Sequence, residues 1–266
     1  MIKFSIVTIT YNAKDVFAKT AESVMRQTYG NVEHIIVDGA STDGTVDMAR
    51  EYKKLSDAKN NGHEIRIVSE PDNGLYDAMN KGLKLSTGDY ICFLNAGDFL
   101  PKTNTLEIVA AKAMTGGRTE GMTGLPAVIY GNTDIVDNDN QYIGPRHLTP
   151  PEKLTWRSFR NGMLVCHQAF YARLDIARKE PYDLRYRHSA DVDWCIRVMK
   201  QAEKEKAELV NTGETIACYR REGQTTIYRR ASLMERFDVM RCHYGLLTTV
   251  AMHLWFVVRT VCRKIH

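Results

Sequence analysis

Phe4-Ser5-Ile6-Val7-Thr8-Ile9-Thr10 and, further on, Ile35-Ile36-Val37-Asp38 are short apolar, β-branched runs of the kind that a sheet covered on both faces buries. Between them Val16, Phe17, Ala21, Val24 and Met25 recur at helical spacing, so Asp15–Gln27 reads as a helix. Beyond the second run, Thr45–Leu55 reads as another helix with Thr42 or Asp43 near its cap. Glu64–Val68 alternates as a strand, Leu75–Leu85 is a third helix and Tyr90–Leu94 a fourth strand. This β-α-β-α-β-α-β order predicts an α/β fold, a Rossmann-like and mostly parallel sheet flanked by helices, with ligands at the carboxyl edge of the strands.

The remainder is less regular. Thr115–Gly124 is rich in Gly and Thr and reads as a loop, Ala127–Asp134 as a strand and Pro145–Pro151 as a breaker. Asp191–Lys206 reads as a helix with Val192, Cys195, Ile196 and Met199 on one face, and the chain reads as helical again from Ala231. The 266 residues, 44% hydrophobic, suffice for one large core. Cys92, Cys166, Cys195, Cys218, Cys242 and Cys262 make no CxxC pair and no zinc-like spacing, so they read as buried thiols in a reducing, cytoplasmic compartment. Met1–Thr10 does not read as a signal peptide, and no stretch reaches the ~20 apolar residues of a membrane span.

Charge is unevenly spread. The stretch Tyr219–His266 carries a net +6, and the rest of the chain a net −2. Within this tail Leu246–Val258 is apolar except for Thr248, Thr249 and His253, with Arg241 before it and Arg259, Arg263 and Lys264 after it. Such a helix either lies in the headgroup layer of an anionic membrane, through residues 241–266, or packs on protein. A peripheral position at the inner face of the plasma membrane is one expectation; nucleic acid is not an expected partner.

Acidic residues stand where chemistry is placed. Asp38 ends the second strand, Asp98 follows the fourth, and Asp191 and Asp193 open a late helix. A nicotinamide oxidoreductase would use Asp38 on a ribose, but it needs a glycine-rich turn after the first strand. Here that turn is Tyr11-Asn12-Ala13-Lys14, which excludes that class. The plain alternatives are an Asx-turn at Asp38, loop packing at Tyr11, a turn or cap at Asp98 and an N-cap at Asp191.

The motifs, taken in order, resemble the family 2 glycosyltransferases of GT-A fold. They are Ile6–Asn12, Val37-Asp38-Gly39-Ala40-Ser41-Thr42-Asp43-Gly44-Thr45, Glu70-Pro71-Asp72-Asn73-Gly74, Ala78-Met79-Asn80-Lys81-Gly82 and Thr87-Gly88-Asp89-Tyr90. Asn95-Ala96-Gly97-Asp98 and Asp191-Val192-Asp193-Trp194, ending in Arg197, complete the series. The resemblance implies an inverting transferase that uses a nucleotide-sugar donor and a glycan or lipid-linked acceptor in surface polysaccharide or glycan biosynthesis. It implies a GT-A domain over 1–225, with the nucleotide in about 1–100 and the acceptor in 101–225, followed by a basic helical tail over 226–266. Thr8, Tyr11, Asp38, Asn95 and Asp98 fall to the nucleotide sugar, Asp98 to a divalent cation (Mn or Mg), and Asp191 to the general base. His167, Asp193, Arg220 and Arg221 are candidate contacts to acceptor or diphosphate. The family usually carries two or three acids where this chain has Asn95 and Gly97, so a catalytically weakened nucleotide-sugar-binding or scaffold protein is the alternative.

Overall fold

The protein is described by a computed structural model covering residues 1–116, 124–221 and 229–265, with the backbone alone at 229 and 260–265. Most of the Thr115–Gly124 loop, the segment Gly223–Thr226, the proposed boundary at 225/226 and the side chains of Cys262, Arg263 and Lys264 lie outside the described residues.

The first half folds as its pattern predicts. Strands β1 (Phe4–Thr10), β2 (Val32–Asp38), β3 (His63–Ser69) and β4 (Tyr90–Phe93) alternate with helices α1 (Lys14–Met25), α2 (Thr45–Lys59) and α3 (Leu75–Leu85). They lie in the parallel order β3-β2-β1-β4. Every residue of β1 and β2 is buried, polar Ser5, Thr8, Thr10, Glu33, His34 and Asp38 included, which is why neither strand keeps an exposed polar face.

The second half closes the sheet with mixed pairing. After α4 (Thr105–Thr115) come β5 (Val128–Val136), β6 (Tyr142–Pro145), β7 (Phe170–Arg173), the short α5 (Leu174–Ala177), α6 (Ala190–Lys204) and β8 (Leu209–Arg220). β7 inserts antiparallel between β4 and β5, and β8 runs parallel to β5. Short 3-10 helices at Trp156–Asn161 and His167–Ala169 precede β7.

The chain ends in α7 (Arg229–Tyr244) and α8 (Leu246–Ile265), joined by Gly245 at φ 81°. α7 is not a detached tail. Its Val239 and Met240 are buried, and Val239 belongs to the main core. Tyr244 stacks on Trp156 at 5.6 Å and donates its hydroxyl to the Trp156 carbonyl at 2.6 Å. α8 is different. Thr249 is buried, and His253 meets Phe237 of α7 edge-on, while Leu247, Val250, Leu254 and Val257 stand exposed on one stripe. No helix among the described residues is long and apolar enough to cross a membrane. Of the described cysteines Cys242 is exposed, correcting the expectation that all are buried.

Candidate active site

The carboxyl ends of β1, β2 and β4 open on one edge, and the turn before β7 and the start of α6 face it. Two neighbouring residues organise this cleft. His167 Nδ1 lies 3.4 Å from Asp191 Oδ2, and its Nε2 lies 3.3 Å from the Asn95 amide. Gln168 donates to Asp98 Oδ2 at 2.8 Å. The 3-10 turn thus holds both candidate acids, through consecutive side chains.

Asp191 is the second residue of α6 and accepts from the Tyr76 hydroxyl of α3 at 3.1 Å. Burial favours its neutral form, but the hydrogen bond and charge of His167, the Arg236 charge and the Val192 amide outweigh burial and hold its pKa below the usual value. Asp98 behaves oppositely. Burial pushes its pKa up to about 6, only partly offset by Gln168, His167 and Arg220. It is a buried carboxylate short of positive charge. Beside it Asn95 Oδ1 is buried with no hydrogen-bond partner. A lone carboxylate and an orphan amide oxygen are hard oxygen donors, and they suit a divalent cation whose remaining ligands come from substrate phosphates. No group of three His, Cys, Asp or Glu among the described residues could hold a metal unaided.

Other expected residues are placed as follows. Tyr11 is 69% exposed just past the end of β1, and a Cβ on Gly39 would lie 3.3 Å from its ring and 2.5 Å from the Asp72 carboxylate. The Tyr11 face is therefore open beside a side-chain-free shelf. Arg220 runs its stem past Gly97 and donates to the Asn138 carbonyl at 2.7 Å. Arg221 is exposed, and its amide pairs with the Val136 carbonyl.

Burial sets three of the expected residues apart. Thr8 lies wholly inside the sheet, donating to the Leu94 carbonyl at 2.8 Å with His34 Nε2 also at 2.8 Å, so it has no hydroxyl to offer a ligand. Asp193 faces α7, between Arg197 and His243 at 2.7 Å each, and joins a helix–helix contact. Asp38 is fully buried with both oxygens in use: Thr10 and Ser41 hydroxyls donate to Oδ1, and the Ser41 amide and Ser69 hydroxyl to Oδ2. Burial raises its pKa, but those hydrogen bonds win and lower it. It is an Asx-turn anchor, and a base could reach it only if one of these hydroxyls turned away. Asp38→Ala is expected to lower the unfolding free energy by about 2–3 kcal/mol, since several buried donors lose a charged acceptor. Urea titration measures this, and unchanged stability with weakened nucleotide binding would return Asp38 to base recognition.

The sequence profile described as Glycosyl transferase family 2 matches residues 5–179. The chain belongs to that glycosyltransferase family. This glycosyltransferase is 37% identical to the PGL/p-HBAD biosynthesis glycosyltransferase of Mycobacterium bovis (strain BCG / Pasteur 1173P2) over 195 residues, 73% of this chain and 68% of that one. It is 28% identical to the amylovoran biosynthesis glycosyltransferase AmsB of Erwinia amylovora, covering 75% and 64%. Its fold is that of S. aureus TarS 1-349 solved with UDP-GlcNAc, at TM-score 0.69 and 17% identity, covering 91% of this chain and 65% of that one. A mannosyltransferase from Pyrobaculum calidifontis, solved with GDP-Man and Mn2+, is similar at TM-score 0.58 and 16% identity, covering 94% and 74%. The glycosyltransferase thus spans about two thirds of the staphylococcal chain. It is a glycosyltransferase of GT-A fold.

Sequence reading misses Tyr76, Glu235 and Arg236. Tyr76 opens α3 after a glycine-containing turn and looks like an ordinary apolar-face residue, and nothing in the spacing points from α7 to Asp191.

Proposed function

We propose that the chain transfers a sugar with inversion from a nucleotide-sugar donor to a hydroxyl of a glycan or lipid-linked acceptor, with Asp191 as general base. The observation that carries this reading is the His167-Gln168 turn, which joins Asp191 to Asp98 in one cleft. The acceptor oxygen attacks the anomeric carbon, the bond from that carbon to the phosphate oxygen breaks, and the nucleoside diphosphate leaves with the bonding pair. Asp191, charged and aimed by Tyr76 and His167, takes the hydroxyl proton. Asp98 and Asn95 Oδ1 would hold a divalent cation, Mn or Mg, which when bound neutralises charge on the leaving diphosphate. Arg220 beside Gly97 lies on the same side and suits a phosphate, and the open Tyr11 ring suits a base.

A thermal-shift screen of nucleotide sugars with and without Mn2+ tests the donor reading. A donor at 100 times its dissociation constant should stabilise the fold by about 2.7 kcal/mol. Donor hydrolysis in the same samples separates an enzyme from a weakened binding protein; no shift with any donor and no hydrolysis would refute the assignment.

An anionic membrane is proposed as the second surface. The exposed stripe of α8, with Leu247 at 87% and Leu254 at 64% exposure, coincides with the region of net positive charge, as an interfacial helix requires. The full chain is expected to sediment with phosphatidylserine-containing liposomes at low salt, and a chain ending at Tyr244 to stay in the supernatant while remaining folded. Equal behaviour of the two would remove α8 from the contact.

A further inference from the structure

The family profile ends at residue 179, yet the setting of Asp191 depends on helix α7, well beyond that limit. Three successive backbone amides just before Asp191 converge on one carboxylate. Glu235 Oε1 accepts from Arg187 at 2.9 Å, and Oε2 from His188 at 2.7 Å and Ser189 at 3.0 Å. Ser189 is the N-cap of α6, and Arg187 and His188 belong to the turn that leads into it. Ser189, the residue before the helix, makes no side-chain cap; its hydroxyl instead donates to the Ser232 carbonyl of α7 at 3.1 Å. The turn that leads into α6 is thus pinned to another helix.

The next residue, Arg236, has its Nε buried without a hydrogen-bond partner, and its charge reaches Asp191. A half-buried guanidinium with an unsatisfied donor is costly unless it serves a charge. The groups that face or influence Asp191 are Tyr76 from α3, Cys166 and His167 at the 3-10 turn, Tyr182 before α6, Cys195 on α6 and Arg236. Arg236 is the permanent cation among them, and Glu235 is engaged by three amides.

We propose that Glu235 and Arg236 are positioning residues for Asp191, the first fixing the turn that aims it and the second providing its counter-charge. The catalytic meaning of this pair rests on Asp191 being the base. The pair completes the site from outside the segment that carries the family's motifs, so the catalytic unit includes α7.

The test uses the full chain. In Glu235→Gln one charged acceptor becomes a neutral amide with a single oxygen, and hydrogen exchange at the amides of 187, 188 and 189 should quicken by about 10- to 100-fold while the interior of α6 is unchanged. In Arg236→Gln the carboxyl carbon resonance of Asp191, identified by its loss in Asp191→Asn, should titrate at higher pH than in the wild type, and Arg236→Lys should restore it. A merely structural arginine would leave that titration in place. Unchanged exchange and an unmoved titration, with Asp191→Asn inactive, overturn the pair alone. Wild-type turnover by Asp191→Asn overturns the base assignment and the pair's catalytic meaning with it.

Discussion

Asp191→Asn is expected to bind donor as the wild type does and to lose about 10²–10⁴ in turnover, the range for removing a general base. The substitution is nearly isosteric. An Asn at 191 can still accept from the Tyr76 hydroxyl, so the turn and the cleft should persist. What disappears is the charge that receives the proton. Donor affinity from a thermal-shift titration and single-turnover transfer together decide the matter. Failure to bind donor would make the residue structural, and wild-type turnover would exclude it as the base. Asp193→Asn should act differently, through stability, because Asp193 joins Arg197 to His243 across α6 and α7.

Asp98→Ala is expected to abolish transfer, whereas Asn95→Ala should weaken it in part, because the amide oxygen is the lesser of the two donors. pH supplies an independent check. The folded-state pKa of Asp98, about 6, lies above the ordinary carboxylate value. Between the two values, and without a cation, the folded state therefore binds more protons than the unfolded one. Its contribution to stability falls as pH rises from about 4 to about 6. Cation binding needs the charged form and should strengthen over the same interval, reversing that trend. The expected result is an acidic limb of kcat/KM near the Asp98 value that moves lower with added Mn2+. Asp191 contributes no limb there, its pKa being depressed. Full activity of Asp98→Ala in EDTA would dispose of the metal assignment.

How far the sequence foretells the structure depends on where each residue's partners lie. β1, β2 and α3 are evident because both-face burial leaves short β-branched clusters such as Ile6-Val7 and Ile35-Ile36-Val37 and one-face burial leaves a helical period. β8 escapes because Asn211-Thr212-Gly213-Glu214 interrupts it with polar residues, and the same region carries the register shifts against β5. β7 is very short and receives both its neighbours, β4 and β5, from distant parts of the chain. Among the acids, position in a motif finds Asp98 and Asp191 but cannot say which carboxylates have spare lone pairs. Asp38 is saturated by the hydroxyls of Thr10, Ser41 and Ser69, the first and last of them on other strands. Charge counting assigns α7 to a basic tail, whereas Glu235, Asp238 and His243 on it are hydrogen-bond partners of the catalytic half.

The two acids of the cleft come from elements far apart in the chain, yet each is gripped by one member of a dipeptide. Adjacent Cα atoms stay about 3.8 Å apart whatever the surroundings do. His167 and Gln168 are thus two hooks on one short stretch of backbone, each holding a different acid. A shift of that turn would therefore disturb the hydrogen-bond partners of both acids at once.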